Sequence, residues 1–126
     1  MNTPRILIVD DEPSFNRLLR MVLENTGRYI VKEENDATQA LETARQFKPD
    51  LILLDFIMPR ADGGNVAHAL RSDPRFSHTP IVFLSATVAN NNACPPTIAS
   101  FPAYSKPISA ERLMQVIDEH LAKAGH

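Results

Sequence analysis

The sequence holds one cysteine, Cys94, which excludes an internal disulfide framework and fits a reducing compartment. No apolar run is long enough to span a bilayer. No signal peptide is expected either, since charges begin at Arg5 and recur throughout. A formal charge of −2 gives no general attraction to nucleic acid or to an anionic membrane, so neither is expected as a partner of this chain. Repeats, linkers and low-complexity tracts are missing. What is left is a chain of 126 residues, the size of one domain and long enough for a real core, with the cytoplasm as its default location.

Short apolar runs alternate with stretches of helical periodicity. "RILIV" (5–9) reads as a buried strand. After it, "PSFNRLLRMVLENTG" predicts a helix with Phe15, Leu18, Leu19, Val22 and Leu23 on one face, Pro13 in the first turn and Gly27 as terminator. "YIVKEE" (29–34) is a poorer, outer strand. "DATQALETARQF" (36–47) is a helix with Asp36 as N-cap. "DLILLD" (50–55) is a third strand, "GGNVAHALRS" (63–72) a short helix stopped before Pro74, and "PIVFLS" (80–85) a fourth strand. "FPAYS" (101–105) is a short fifth strand. "SAERLMQVIDEHLAKAG" (109–125) is a last helix, with Ser109 as N-cap and Leu113, Val116, Ile117 and Leu121 turned inward. Such βα alternation predicts one parallel sheet with helices on both faces, and ligands bind such sheets at the carboxyl ends of the strands.

The polar residues at those ends are therefore the ones to examine. Strand one runs into Asp10, Asp11 and Glu12, strand three into Asp55, strand four into Ser85, and strand five into Lys106 just past the edge. Three carboxylates brought together repel one another and demand a counter-charge. A hard divalent cation such as Mg²⁺ takes oxygen ligands and keeps waters free for a phosphoryl group. Asp55, at the end of four continuously apolar residues, becomes a candidate nucleophile for phosphoryl transfer, with the cation, Lys106 and the Ser85 hydroxyl neutralising the phosphoryl oxygens.

Each residue also has a plainer reading. Asp11 would serve as an N-cap, Asp55 as the start of a turn, Ser85 as an idle strand end and Lys106 as a solvated loop cation. Their coincidence at one end of several strands favours the chemical reading. His68, His78, His120 and His126 share no metal-ligand spacing and are expected on the surface. Cys94 is expected to be a partly exposed loop thiol with no base to activate it.

At "ILIVDDEP" (6–13), "DLILLDFIMPRADG" (50–63), "PIVFLSA" (80–86) and "YSKP" (104–107) the sequence resembles the receiver domain of bacterial two-component response regulators, over nearly its whole length. The segment with Asp55, Met58, Pro59, Asp62 and Gly63 is the most specific part of the match. The resemblance implies a flavodoxin-like, doubly wound α/β fold, a five-stranded parallel sheet of order 2-1-3-4-5. It implies that Asp55 accepts a phosphoryl group from a histidine kinase or histidine phosphotransfer protein. Asp11 would ligate Mg²⁺ directly and Asp10 through water, with Asp55 and the backbone carbonyl of Ile57 completing the protein ligands. Ser85 and Lys106 would hold the phosphoryl oxygens, helped by the N–H of Ala86. Tyr104 matches the aromatic residue that swings inward when the hydroxyl residue moves. The chain would catalyse only its own phosphorylation and slow dephosphorylation, since Ile57 and Thr87 flank the path of attacking water.

Two departures stand out. "TVANNNACPPTIASFPAY" carries three consecutive Asn and two consecutive Pro where many receivers continue a regular fourth helix. That helix is expected to be short or irregular, starting at Pro95 or Pro96 and running to about Ser100, within the least ordered part of the domain. Nothing resembling an output module follows the last helix. The expectation is a single receiver domain over 1–126, free-standing or N-terminal in a longer regulator, that switches a downstream output protein or domain. The competing reading is a phosphorylation-independent interaction module on the same fold. A flavin carrier is disfavoured because "DDEPS" is acidic where a phosphate would sit, and a dehalogenase-type phosphatase because Asp10 and Asp11 are adjacent.

Overall fold

The computed structural model describes residues 3–55, 57–58, 61–85, 97–98, 101–106 and 108–124. Its elements run β1 (Arg5–Val9), α1 (Pro13–Glu24), β2 (Ile30–Glu34), α2 (Ala40–Phe47), β3 (Leu51–Leu54), β4 (Ile57–Met58), β5 (Ala61–Asp62), α3 (Gly63–Ser72), β6 (Ile81–Ser85), β7 (Thr97–Ile98), β8 (Phe101–Ser105) and α4 (Ala110–Lys123). The main sheet has the order β2-β1-β3-β6-β8-β7. Its first five strands are parallel, so in chain order they follow the expected 2-1-3-4-5.

Alternation along each strand divides the core between the two faces of the sheet. Leu7, Val9, Ile52, Leu54, Ile81 and Phe83 pack with α2 and α3. Ile6, Ile8, Leu51, Leu53, Val82 and Leu84 pack with α1 and α4. Because both faces are covered, the central strands read as unbroken apolar runs. β2 lies at the edge, and its first residue, Ile30, is exposed.

The helix ends follow local chemistry. Asp36 accepts a bond from the Thr38 N–H and opens a turn of 3-10 helix over Ala37–Gln39, ahead of α2. Ser109 caps α4 by accepting from the Arg112 N–H, and Leu113, Val116, Ile117 and Leu121 are buried as expected. Gly27 takes a left-handed φ of 72° beyond α1, a conformation a side chain would resist.

Two expectations and one of the plainer readings are corrected. Leu18 is 59% exposed, because the inward stripe of α1 is Asn16, Leu19 and Leu23. That stripe is centred roughly 130° around the helix from Leu18, at about 100° per residue. Asp11 does not cap α1: the N-cap is Glu12, without a side-chain bond, and Pro13 begins the helix. Thr97 and Ile98 are not helical. They form a short strand antiparallel to Phe101 and Pro102, so no helix runs from Pro95 or Pro96 to Ser100. The remaining expectations for 86–96, 99 and 100, including Cys94, Ala86 and Thr87, lie outside the described residues.

Candidate functional site

Sheet register builds the site. Val9 pairs with Leu54, so the next residue on each strand, Asp10 and Asp55, emerges side by side, and the Asp55 N–H donates to the Val9 carbonyl at 2.9 Å. Ser85 pairs with Ser105, and the Lys106 N–H donates to the Ser85 carbonyl at 3.0 Å. These bonds deliver a hydroxyl and an ammonium to the rim where the carboxylates stand. Ser85 is fully buried there.

One carboxylate oxygen from each of Asp10, Asp11 and Asp55 lies within 4.8 Å of the others. Asp10 and Asp55 are only 2% and 8% exposed. Lys106 Nζ sits 2.6 Å from Asp10 Oδ2 and 3.9 Å from Asp55 Oδ1. It also rests 4.0 Å from the centroid of the Phe15 ring, which shields it from water on that side. The other Asp10 oxygen accepts from the Glu12 N–H at 3.0 Å. Two like charges about 5 Å apart repel by about 3 kcal/mol at an effective dielectric near 20. Among the described residues, three carboxylates face one ammonium here, which leaves them short of positive charge.

The donor set fits a hard cation: oxygen-only, converging and partly buried. Ile57 lies just beyond Asp55 in β4, which turns into β5 by pairing Ile57 with Asp62. Asp62 then accepts from the Gly64 and Asn65 N–H groups at 2.7 and 3.3 Å, starting α3. The two paired short strands thus lie between the end of β3 and the start of α3, where Asp62 is the cap.

Two buried polar residues escaped the sequence reading, one of them beside the site. Asn16 is fully buried, and its Nδ2 donates to the Asp10 carbonyl at 2.8 Å and to Asn35 Oδ1 at 2.5 Å. It ties the acidic loop after β1 to the loop after β2. Its own Oδ1 has no hydrogen-bond partner among the described residues, a cost of about 1–3 kcal/mol. His120 is the second. Expected at the surface, it is 8% exposed on the inner side of α4, with Nε2 3.0 Å from the Tyr104 hydroxyl. Burial, aided by the charge of Lys123, holds its pKa below the usual 6.5. His68 and His78 are exposed, as expected.

A family model for the response regulator receiver domain matches residues 6–118. The chain is 41% identical over 83 residues to the DNA-binding dual master transcriptional regulator RpaA of Synechocystis, a match covering 66% of this chain and 34% of that protein. It is 31% identical over 119 residues to response regulator Rre1 of the same organism, covering 94% of this chain and 52% of the other. The chain thus spans between a third and about half of these relatives. Among solved structures, a sensor protein from Polaromonas superimposes with a TM-score of 0.83 at 29% identity, over 98% of this chain and 100% of that one.

Proposed function

Since the chain belongs to the response regulator receiver domain family, we propose that it is a phosphorylation-driven signalling domain whose phosphoacceptor is Asp55. The observation that carries this reading is the meeting of Asp10, Asp11 and Asp55 within 4.8 Å, with Lys106 3.9 Å from the acceptor carboxylate. In the reaction an Asp55 oxygen attacks phosphorus in line. The bond from phosphorus to the donor, a phosphohistidine nitrogen on a kinase or phosphotransfer protein, breaks, and its electron pair leaves with the imidazole.

This chain's residues act by position and charge. Lys106, held on Asp10, stands within reach of the phosphoryl oxygens gathering on Asp55. Ser85 offers a hydroxyl from the neighbouring strand. Mg²⁺, held by Asp11, Asp55 and the Ile57 carbonyl, would supply the missing positive charge. Asp10 already accepts from Lys106 and the Glu12 N–H, which suits a contact to the cation through water. The switch expected of Tyr104 does not carry over, because Tyr104 is in register with Leu84 and shares its sheet face, the one opposite Ser85. The phosphorylated surface then binds an output protein or linked domain in the cytoplasm. RpaA, similar over the matched region, is a DNA-binding regulator, so a transcriptional output is one such destination.

Incubation with acetyl phosphate and Mg²⁺ tests the reading. Wild type should gain one phosphoryl group by mass, and neither Asp55→Asn nor chelator-treated wild type should gain any. Equal uptake by Asp55→Asn would favour another acceptor. No uptake by wild type would favour a phosphorylation-independent interaction module.

A further inference from the structure

The Lys106 ammonium is gripped from several elements. Asp10, just past β1, takes it at 2.6 Å, and Asp55, just past β3, stands 3.9 Å away. Phe15, in the first turn of α1, presents its ring face to the same nitrogen, with the centroid 4.0 Å from Nζ. The ring is half-buried and packs on the core between the sheet and the pair α1 and α4. Its place is braced from both sides. The Glu12 N–H donates to Asp10 Oδ1 at 3.0 Å, and Asn16 Nδ2 donates to the Asp10 carbonyl at 2.8 Å. Ring and carboxylate thus belong to one braced segment, 10–16, and Lys106 meets it from the end of β8 with its side chain only 16% exposed.

Resting on the receiver reading above, we propose that Phe15 is a positioning residue whose ring holds the Lys106 ammonium over the acidic rim as phosphoryl oxygens gather on Asp55. An aromatic face attracts a cation through its quadrupole and carries no net charge. That difference matters here, because among the described residues three carboxylates already face this one ammonium. A further carboxylate in place of the ring would add repulsion and compete with the phosphoryl group for the ammonium N–H donors. The ring does neither, so those donors stay available to oxygen. An aliphatic side chain would cover the ammonium without attracting it. With the ring gone, Lys106 is more hydrated and samples more rotamers, and fewer molecules hold Nζ within reach of the reacting group.

Graded fluorination separates attraction from packing. Mono-, di- and trifluorophenylalanine placed at position 15 keep the ring's shape while draining charge from its face. The rate of phosphorylation by acetyl phosphate in saturating Mg²⁺ should fall stepwise along that series. Phe15→Leu should slow it about fivefold, the change expected from losing one partly desolvated cation–π contact. In a Lys106→Met background, Phe15→Leu should leave the residual rate unaltered. A rate indifferent to fluorination, or a Phe15→Leu effect that persists without Lys106, would overturn the proposal. NMR of untreated protein reads the contact itself. The protons on the Lys106 carbon beside the ammonium should be shifted upfield by the ring in wild type and return to their ordinary position in Phe15→Leu. If wild type takes up no phosphoryl group, the receiver reading fails, and the hold of Phe15 on Lys106 stands or falls on that upfield shift.

Discussion

Asp55→Asn should make the protein more stable while abolishing its chemistry. The substitution relieves repulsion from Asp10 and Asp11, whose oxygens lie within 4.8 Å, by about 3 kcal/mol each at an effective dielectric near 20. It also forfeits attraction to Lys106 at 3.9 Å, about 4 kcal/mol on the same scale. The difference, about 2–3 kcal/mol, favours the variant, and easing the desolvation of a carboxylate that is 8% exposed acts in the same direction. Urea unfolding in chelator measures it. With a slope of roughly 1–3 kcal/mol per M, the midpoint should rise by about 1–2 M without a change in slope. Millimolar Mg²⁺ should then raise the wild-type midpoint and narrow the gap, since a cation taken up by the folded cluster alone stabilises it by mass action. A variant that unfolds at the same or lower urea concentration than wild type in chelator would refute the argument from charge crowding.

Three further outcomes follow from the same geometry. Asn16→Leu should lower stability by about 1 kcal/mol, because the Asp10 carbonyl and Asn35 Oδ1 both lose their donor while a single unpartnered atom, Asn16 Oδ1, is removed; equilibrium unfolding checks this, and a neutral result would contradict it. His120 has a folded-state pKa below its usual 6.5, so the unfolded chain takes up its proton first. Its contribution to stability is full above about pH 6.5 and is lost as pH falls through the lower folded value. A pH series of melting temperatures should show this loss in wild type and a shallower one in His120→Gln; parallel curves would argue against it. By the family resemblance, Ile57→Asn should shorten the lifetime of the phosphorylated protein, since an amide can orient a water and an isoleucine cannot, and an unchanged decay rate would count against that role.

The parallel sheet was legible because its central strands are buried on both faces and therefore appear as continuous apolar runs, and the acidic rim because its residues close those runs. Apolar periodicity failed at α1 for a definite reason. The buried position there belongs to Asn16, which counts as polar, so the apparent stripe was drawn through Leu18 on the solvent side. His120 was illegible for a related reason: its partner, Tyr104, sits on another element and only tertiary packing brings them together. The two-residue strand at Thr97 and Ile98 depends on pairing with β8, not on any local signal. Nor does strand order predict that Lys106 sits closer to Asp10 than to Asp55, a matter of about 1 Å between neighbouring carboxylates.

The central claim is that the Asp55 side chain carries the phosphoryl group, and the bond it would form has a chemical signature of its own. Borohydride reduces an acyl phosphate to the alcohol and leaves a free carboxylate untouched, so a phosphorylated aspartate becomes homoserine. Protein treated with acetyl phosphate and Mg²⁺, then with borohydride, should yield on peptide mapping homoserine at position 55 and intact aspartate at 10 and 11. Homoserine at position 10 or 11, or none at any position in protein that had gained a phosphoryl group by mass, would contradict the account.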